Sequence, residues 1–504
     1  MTRTRRSVWA FISGFGGSGV TLAVGLISTP LLLRWLGDER VGTYRIAIEW
    51  LGYLALFDFG LGGALQMAIA RRLGHDERPH ALTDVRHAMR LFVRVGCFQL
   101  VAVAAFAGLV NAMIPDLSAG TLAELRWGLA VAGVGLLFTP LAAIRPLLDG
   151  AQQSYWVNLA LLVQTLGTTG FALLFAWHGW GLVGQFAAAL IGTFAFNAVL
   201  IVLIARLYPD LWRPRERIAA DSFPVAWPMF VFNLVGRVGV LSDGIILGAI
   251  VGPTEVVRFY VTQRLMLVFI TLAQGIGNAT WAPLADLYHR GELGQFRRRF
   301  LQLNRWTAIL AVAGLGPLAV LNGRLVLLWV GPTRYAGDAL SGVTFLQAIL
   351  MAQIAIWAWP LAGCGMVRKV LPVMIVGSAL NLGVSTAGTF GFGLIGPAVG
   401  TVAGYLLVYS WWYPLLLARE FGLSPRAVMS APVVAVGLFL PVGGSLWLAA
   451  DIIPNDLTGS RMLNFLAWGS FAGLTGLAYL VLAWRVLTPS DERTALIRRV
   501  VTRK

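Results

Sequence analysis

Residues 182–205 read Leu182-Val-Gly-Gln-Phe-Ala-Ala-Ala-Leu-Ile-Gly-Thr-Phe-Ala-Phe-Asn-Ala-Val-Leu-Ile-Val-Leu-Ile-Ala205, with no Asp, Glu, Lys or Arg among them. A helix needs about 20 apolar residues to cross the hydrocarbon core of a bilayer. The stretch therefore predicts a membrane-spanning helix, not part of a water-soluble domain. The linker before it, His178 to Gly181, leaves room only for a tight return from the apolar stretch 155–177, so the two are antiparallel neighbours.

The same pattern fills the chain. Fourteen apolar stretches lie near 8–33, 43–70, 91–114, 127–148, 155–177, 182–205, 223–251, 257–285, 303–322, 339–363, 370–390, 394–418, 427–449 and 463–487. Of 504 residues, 58% are hydrophobic and 12% charged, against about 45–50% and about 25% in soluble domains. That balance excludes a soluble enzyme and a disordered chain. The first run, Val8 to Leu33, follows Arg3, Arg5 and Arg6. It is longer than a signal-peptide core and lacks a small-residue cleavage site, so it reads as an uncleaved span. Cys97 and Cys364 both sit in apolar stretches and imply no disulfide framework. The expected fold class is an all-α polytopic membrane protein with about 14 transmembrane helices.

The net charge of +16 has a topological cause. Most Lys and Arg gather in alternate loops, as at Arg71–Arg72, Arg213/Arg215/Arg217 and Arg297–Arg298–Arg299, and in the two tails. With an even number of spans these all lie on one side. The positive-inside rule makes that side cytoplasmic, so both termini are expected there. The basic loops are also suited to anionic phospholipid headgroups. Nucleic acid is not an expected partner.

An internal repeat organises the spans. Gly60-Leu-Gly-Gly-Ala64 matches Gly275-Ile-Gly-Asn-Ala279 at an offset of 215, and Gly179-Trp-Gly-Leu-Val-Gly184 matches Gly391-Phe-Gly-Leu-Ile-Gly396 at an offset of 212. Each motif falls six spans after its partner, so the two halves share one orientation, with a substrate site expected between them. The expected organisation is two pseudo-symmetric six-helix lobes, 1–215 and 216–420, plus two C-terminal helices and a tail, 421–504. Small residues recur every fourth position at Gly184, Ala188 and Gly192 and at Gly396, Gly400 and Gly404, which favours close helix packing.

Several motifs spell chemistry without its context. G-x-G-x-x-G occurs at 14–19, 179–184 and 391–396, but inside a span or at turns into spans, not after a strand. The two lysines, Lys369 and Lys504, do not follow glycine, so there is no Walker A lysine. No H-E-x-x-H, C-x-x-C or G-x-S-x-G is present. No enzymatic activity, cofactor or metal is expected.

The informative residues are charges inside spans: Arg45, Glu49 and Asp58 in the second, Arg237 and Asp243 in the seventh, and Arg264 in the eighth. A charge at mid-bilayer costs about 3 kcal/mol on insertion scales, so such groups pair or face a polar cavity. One reading is structural, with Arg45–Glu49 paired at i,i+4 and Asp243 neutralising Arg237 or Arg264. The other is a cavity whose arginines bind an anionic substrate, because guanidinium donates two parallel hydrogen bonds to phosphate and stays charged. Asn233, Gln274, Asn278 and Trp281 are polar companions at similar depth.

The stretches Pro30-Leu-Leu-Leu-Arg-Trp-Leu-Gly37, Val41-Gly-Thr-Tyr44, Asp58-Phe-Gly-Leu-Gly62, Asp243-Gly-Ile-Ile-Leu-Gly248, Val257-Arg-Phe-Tyr260 and Pro283-Leu-Ala285 resemble bacterial polysaccharide flippases of the multidrug/oligosaccharidyl-lipid/polysaccharide exporter superfamily. The resemblance covers about residues 8–420. It implies two lobes, alternating access, and export of an undecaprenyl-pyrophosphate-linked oligosaccharide from the cytoplasmic to the outer leaflet of the bacterial inner membrane. It also implies a role in lipopolysaccharide or exopolysaccharide synthesis, with a polysaccharide polymerase and a chain-length regulator as partners. Span 1 lacks both the arginine expected of lipid II flippases and the acidic residue often used by cation-coupled drug exporters. The alternatives are a cation-coupled multidrug or metabolite antiporter of the same fold and, more remotely, a membrane glycosyltransferase or polysaccharide ligase. The outer linkers are short for such an enzyme.

Overall fold

The computed structural model describes residues 3–58, 60–75, 77–114, 117–212, 226–489 and 493. Arg213, Arg215 and Arg217 and the tail from 494 lie outside the described residues, as do the side chains of Arg3, Arg5, Arg6, Asn233, Gln274, Asn278 and Trp281. The described chain is helical throughout and divides into two compact units, Met1–Val257 and Arg258–Lys504. The first holds α1 (Arg3–Leu36), α2 (Asp38–Leu54), α3 (Leu61–Gly74), α4 (Arg78–Met113), α5 (Ala119–Gly135), α6 (Ile144–Gly150), α7 (Ser154–Trp177), α8 (Gly181–Leu207) and α9 (Ala226–Ile250). The second takes most of α10 (Pro253–His289), then α11 (Leu293–Val330), α12 (Asp338–Gly363), α13 (Val367–Phe392), α14 (Gly396–Gly404), α15 (Ser410–Phe421), α16 (Pro425–Ile452) and α17 (Arg461–Leu487).

Ten stretches among the described residues are long and apolar enough to cross a membrane, and an eleventh is the bent pair Asp38–Asp58 and Leu61–Gly74, which meet at 47°. Helix falls on every one of the fourteen stretches marked in the sequence, yet the count by length and apolarity is lower. One stretch, Val367–Phe421, contains two of the fourteen, and α9 and α10 fall outside the count. Large apolar side chains point outward along these helices, among them Phe194, Leu407, Leu440 and Ile452. Water would penalise such a surface, whereas lipid tails accept it.

In the first unit, Leu65 and Ile69 of α3, Val85 and Phe92 of α4, Ile144 and Leu147 of α6, Val157 and Ala160 of α7, and Leu200 and Ile204 of α8 form one buried cluster. In the second, Met266, Ala308, Val312, Ala348, Ala352, Phe439 and Tyr479 do the same across α10, α11, α12, α16 and α17. The last two helices are thus integral to the second unit. Tyr479 donates to the Ala435 carbonyl at 2.7 Å, and Asn304 on α11 donates to the Val428 carbonyl at 2.8 Å while accepting from the Trp357 indole.

The small-residue stripes do the packing expected of them. A methyl group at Gly396 would collide with the Gly388–Thr389 backbone, and one at Gly400 with the backbone of Ser385. Gly192 sits equally close to Thr168 on α7. These contacts press α14 onto α13 and α8 onto α7, each pair folding back through a short turn. Gly181 at φ +57° and Gly393 at φ +59° make those turns possible, because side chains with a Cβ rarely adopt that backbone.

Candidate functional site

The in-membrane charges of the first unit collect where α9 lies along α2. The two helices run antiparallel and touch through glycines: Gly248 meets Ile46, and Gly52 meets Leu241. Positions 45, 49 and 53 recur every fourth residue and so share one face of α2. Arg45 Nε lies 3.2 Å from Glu49 Oε1, with the Arg45 side chain 44% exposed and that of Glu49 only 2%. One turn on, the Tyr53 hydroxyl is 2.9 Å from Ser242 Oγ on α9. Asp243 is buried next to it and interacts electrostatically with Glu49. Arg237, exposed and one to two turns earlier on α9, donates to the Gly52 carbonyl at 3.3 Å and lies within electrostatic reach of Asp58.

The local i,i+4 pair is therefore present, while the pairing of Asp243 with Arg237 is not. Among the described residues Asp243 makes no ion pair, and its charged neighbour is an acid, Glu49. The reason is register: packing at Gly52 and Gly248 leaves Arg237 opposite Gly52, within electrostatic reach of Asp58, and Asp243 within electrostatic reach of Glu49. Arg264 belongs to the second unit, where it is half-buried on α10.

Asp58 has a structural task. It closes the 3₁₀ turn Ala55–Asp58 and accepts from the Gly60 N–H at 2.9 Å and from the Gly62 N–H. Gly60, at φ +77°, is the residue that caps the start of α3. A short acceptor at a helix N-terminus satisfies N–H groups that have no intrahelical partner. The cap lies at the 47° bend between the two helical segments. The matching motif around Gly275 stays inside an unbroken α10, and Ala273 stands where the repeat offset would put the capping carboxylate.

Sequence reasoning missed Tyr53 and Ser242, since neither is charged and their pairing depends on α9. It also missed a node at the start of α8. Glu124 takes the Arg40 guanidinium in a fork, at 2.9 and 2.7 Å, and accepts from the Leu182 N–H at 2.9 Å. A Cβ on Gly181 would strike that carboxylate. The glycines at 179–184 thus serve a helix N-terminus closed by the protein's own acid.

What this face offers is two exposed guanidinium groups, Arg45 and Arg237, on α2 and α9, which also carry the buried acids Glu49 and Asp243. Known proteins give it a context. Residues 10–285, which contain all six in-membrane charges, match the family described as polysaccharide biosynthesis protein. A Shigella flexneri protein described as an O-antigen transporter is 24% identical over 305 residues, 57% of this chain and 68% of its own length. The fold is similar to that of lipid II flippase MurJ in an inward closed conformation, with TM-score 0.69 at 13% identity over 94% of this chain and 98% of that one. It is also similar to a multidrug resistance MATE family transporter of the MOP superfamily in an inward-facing conformation, with TM-score 0.60 at 14% identity over 88% and 99%. The match spans more than half of the chain, and the fold agrees along nearly all of it: this multi-pass membrane protein belongs to the polysaccharide biosynthesis protein family and has the fold of the MOP superfamily of transporters.

Proposed function

We propose that the protein is a flippase that moves an undecaprenyl-pyrophosphate-linked oligosaccharide from the cytoplasmic to the outer leaflet of a bacterial inner membrane by alternating access. The observation that carries this is the guanidinium-bearing α2–α9 face of a multi-pass membrane chain from this family. Arg45 and Arg237 would hold the pyrophosphate by charge-assisted, forked hydrogen bonds. Glu49 and Asp58, already within reach of those arginines, would take them back on release. The drive follows from charge. Each negative charge moving outward across 100 mV, interior negative, gains about 2.3 kcal/mol. A pyrophosphate diester with two charges therefore gains about 4–5 kcal/mol without ATP.

The distribution of Lys and Arg supports cytoplasmic termini, and the basic loops suit anionic phospholipid. A polysaccharide polymerase and a chain-length regulator would act on the exported product. The MATE-type fold is equally compatible with a small-molecule antiporter, so the test must separate the two. Purified protein in liposomes is supplied with a labelled lipid-linked oligosaccharide, and exposure of the label on the opposite face is followed. Wild type should flip it, and Arg237→Ala at normal insertion should lose at least tenfold in rate. Undiminished flipping by Arg237→Ala and Arg45→Ala together would overturn the anion-binding role. Cation-driven efflux of a small drug without lipid flipping would establish the antiporter.

A further inference from the structure

α4 and α11 are repeat partners: their first residues, Arg78 and Leu293, stand 215 apart, the offset of the Gly60 and Gly275 motifs. Along α11, Ala308, Ile309 and Ala313 are buried in the cluster that α16 and α17 complete through Phe439 and Tyr479. Gly316 lies against Phe439, and Gly476 of α17 against the Ala313 carbonyl, so small residues let these helices come close. The matching positions of α4 are Val93, Arg94, Phe98 and Val101, and all four are exposed. Bulky Phe98 and Val101 stand where Ala313 and Gly316 admit a helix, and Arg94 stands where Ile309 is buried. This face of α4 is therefore not shaped for a second pair of packed helices, and its apolar side chains suit lipid.

Charge divides the face along its length. Arg90, Arg94, Phe98, Val101 and Leu109 recur at helical spacing, line one side of α4 and are all exposed. The 20 residues from Val95 to Ile114 carry no charge, which is enough to cross the hydrocarbon core. Arg94 thus marks the edge of that core, and Arg90 lies one turn outside it. Among the described residues neither guanidinium has an ion pair or hydrogen bond within the protein. The other arginines of α4 are engaged: Arg78 donates to the Leu207 carbonyl at 2.9 Å, and Arg86 to the Leu211 carbonyl at 2.9 Å. The acids at this end, Glu77 and Asp84, both hold Arg72.

We propose that this face of α4 seats one anionic phospholipid, its phosphate held between Arg90 and Arg94 and its acyl chains lying along Phe98, Val101 and Leu109. Guanidinium donates forked hydrogen bonds to phosphate oxygens and stays charged. The net charge of the headgroup decides which phospholipid binds. In phosphatidylethanolamine the ammonium already neutralises the phosphate, whereas phosphatidylglycerol keeps a full negative charge for the two arginines. A basic side chain near an anionic surface contributes about fivefold in binding, so the two together should favour the anionic lipid about thirtyfold. The seat is independent of what the protein carries, so it stands or falls apart from the flippase reading.

Delipidated full-length protein in detergent is titrated with phosphatidylglycerol or with phosphatidylethanolamine, and bound lipid is counted by native mass spectrometry. Wild type should hold its first phosphatidylglycerol about thirtyfold more tightly than its first phosphatidylethanolamine, and equal retention overturns the seat. Arg90→Gln and Arg94→Gln should each lower that preference about fivefold, and the double variant should remove it. Arg145→Gln, which removes an exposed arginine from α6, should leave the preference unchanged, and a loss equal to that of Arg94→Gln overturns the assignment to α4. Cys97 is exposed on the same side of α4 and reports on the rival occupant, a second copy of the chain. Oxidative cross-linking in native membranes should give no dimer. A dimer that Cys97→Ser abolishes places protein on this face and overturns the lipid.

Discussion

Substituting the two members of the Arg45–Glu49 pair should shift anion affinity in opposite directions. At 3.2 Å and an effective dielectric of about 20, the gross attraction between the two charges is about 5 kcal/mol. The Arg45 side chain is 44% exposed, however, and exposed pairs net only about 0.2–1 kcal/mol once solvent and side-chain entropy are counted. Burial of Glu49 places this pair at the upper end, about 1 kcal/mol. Glu49→Gln removes the internal competitor for Arg45, so pyrophosphate should bind about fivefold more tightly. Arg45→Gln removes hydrogen bonds to a charged group worth about 1.5–3 kcal/mol, so binding should weaken about 10- to 150-fold. Both constants come from calorimetric titration of purified protein in nanodiscs at low salt, and both effects should shrink at high salt because charges at this exposure are screened. Weaker binding by Glu49→Gln, or unchanged binding by Arg45→Gln, would refute the claim that the pair competes with substrate for one guanidinium.

Other substitutions probe other parts of the chain. Arg264→Ala should abolish flipping in the liposome assay without reducing membrane insertion, and full activity of the inserted variant refutes a substrate role for that arginine. Gly400→Val drives a side chain into the backbone of Ser385 and should lower stability by about 3 kcal/mol or more, read as a drop in melting temperature in detergent, whereas Gly437→Ala, which meets nothing within 4 Å, should not. Tyr479→Phe removes the buried bond to Ala435 and should cost about 1 kcal/mol in the same melt. In the exposed loop before α17, hydrogen bonds from Asn464 and the Gly459 N–H hold the Asp456 carboxyl below the usual range. A lowered value stabilises the loop above the ordinary carboxylate range and loses that effect as pH falls through the lowered one. Hydrogen exchange at Gly459 should therefore speed up, relative to its intrinsic rate, only in strong acid, and Asp456→Asn should remove the pH dependence.

Residues 182–205 and the other apolar stretches were legible as helices because hydropathy over about 20 residues needs no partner to be read. The turns at Gly179–Gly181 and Gly391–Gly393 were legible for the same reason, as was the Arg45–Glu49 pair, since i,i+4 spacing on one helix fixes the neighbours. The boundary between compact units, after Val257, is set by contacts rather than by the repeat. The second span breaks where Asp58 accepts from the Gly60 N–H, whereas α10 is unbroken around Gly275, and the capping role of Asp58 shows only in the folded turn.

Chain order and hydropathy alone determined that this protein crosses the membrane many times, and alternating charge gave the expectation of which side holds its ends. Tertiary structure alone decided that Arg237 reaches the Gly52 carbonyl and not Asp243, that Tyr53 reaches Ser242, and that Glu124 closes the start of α8. The physical reason is the range over which each is set. Burying apolar side chains in lipid is a property of a single helix, but which side chains meet across α2 and α9 depends on how far one helix slides along the other. That register is fixed where Gly52 and Gly248 let the two backbones come close.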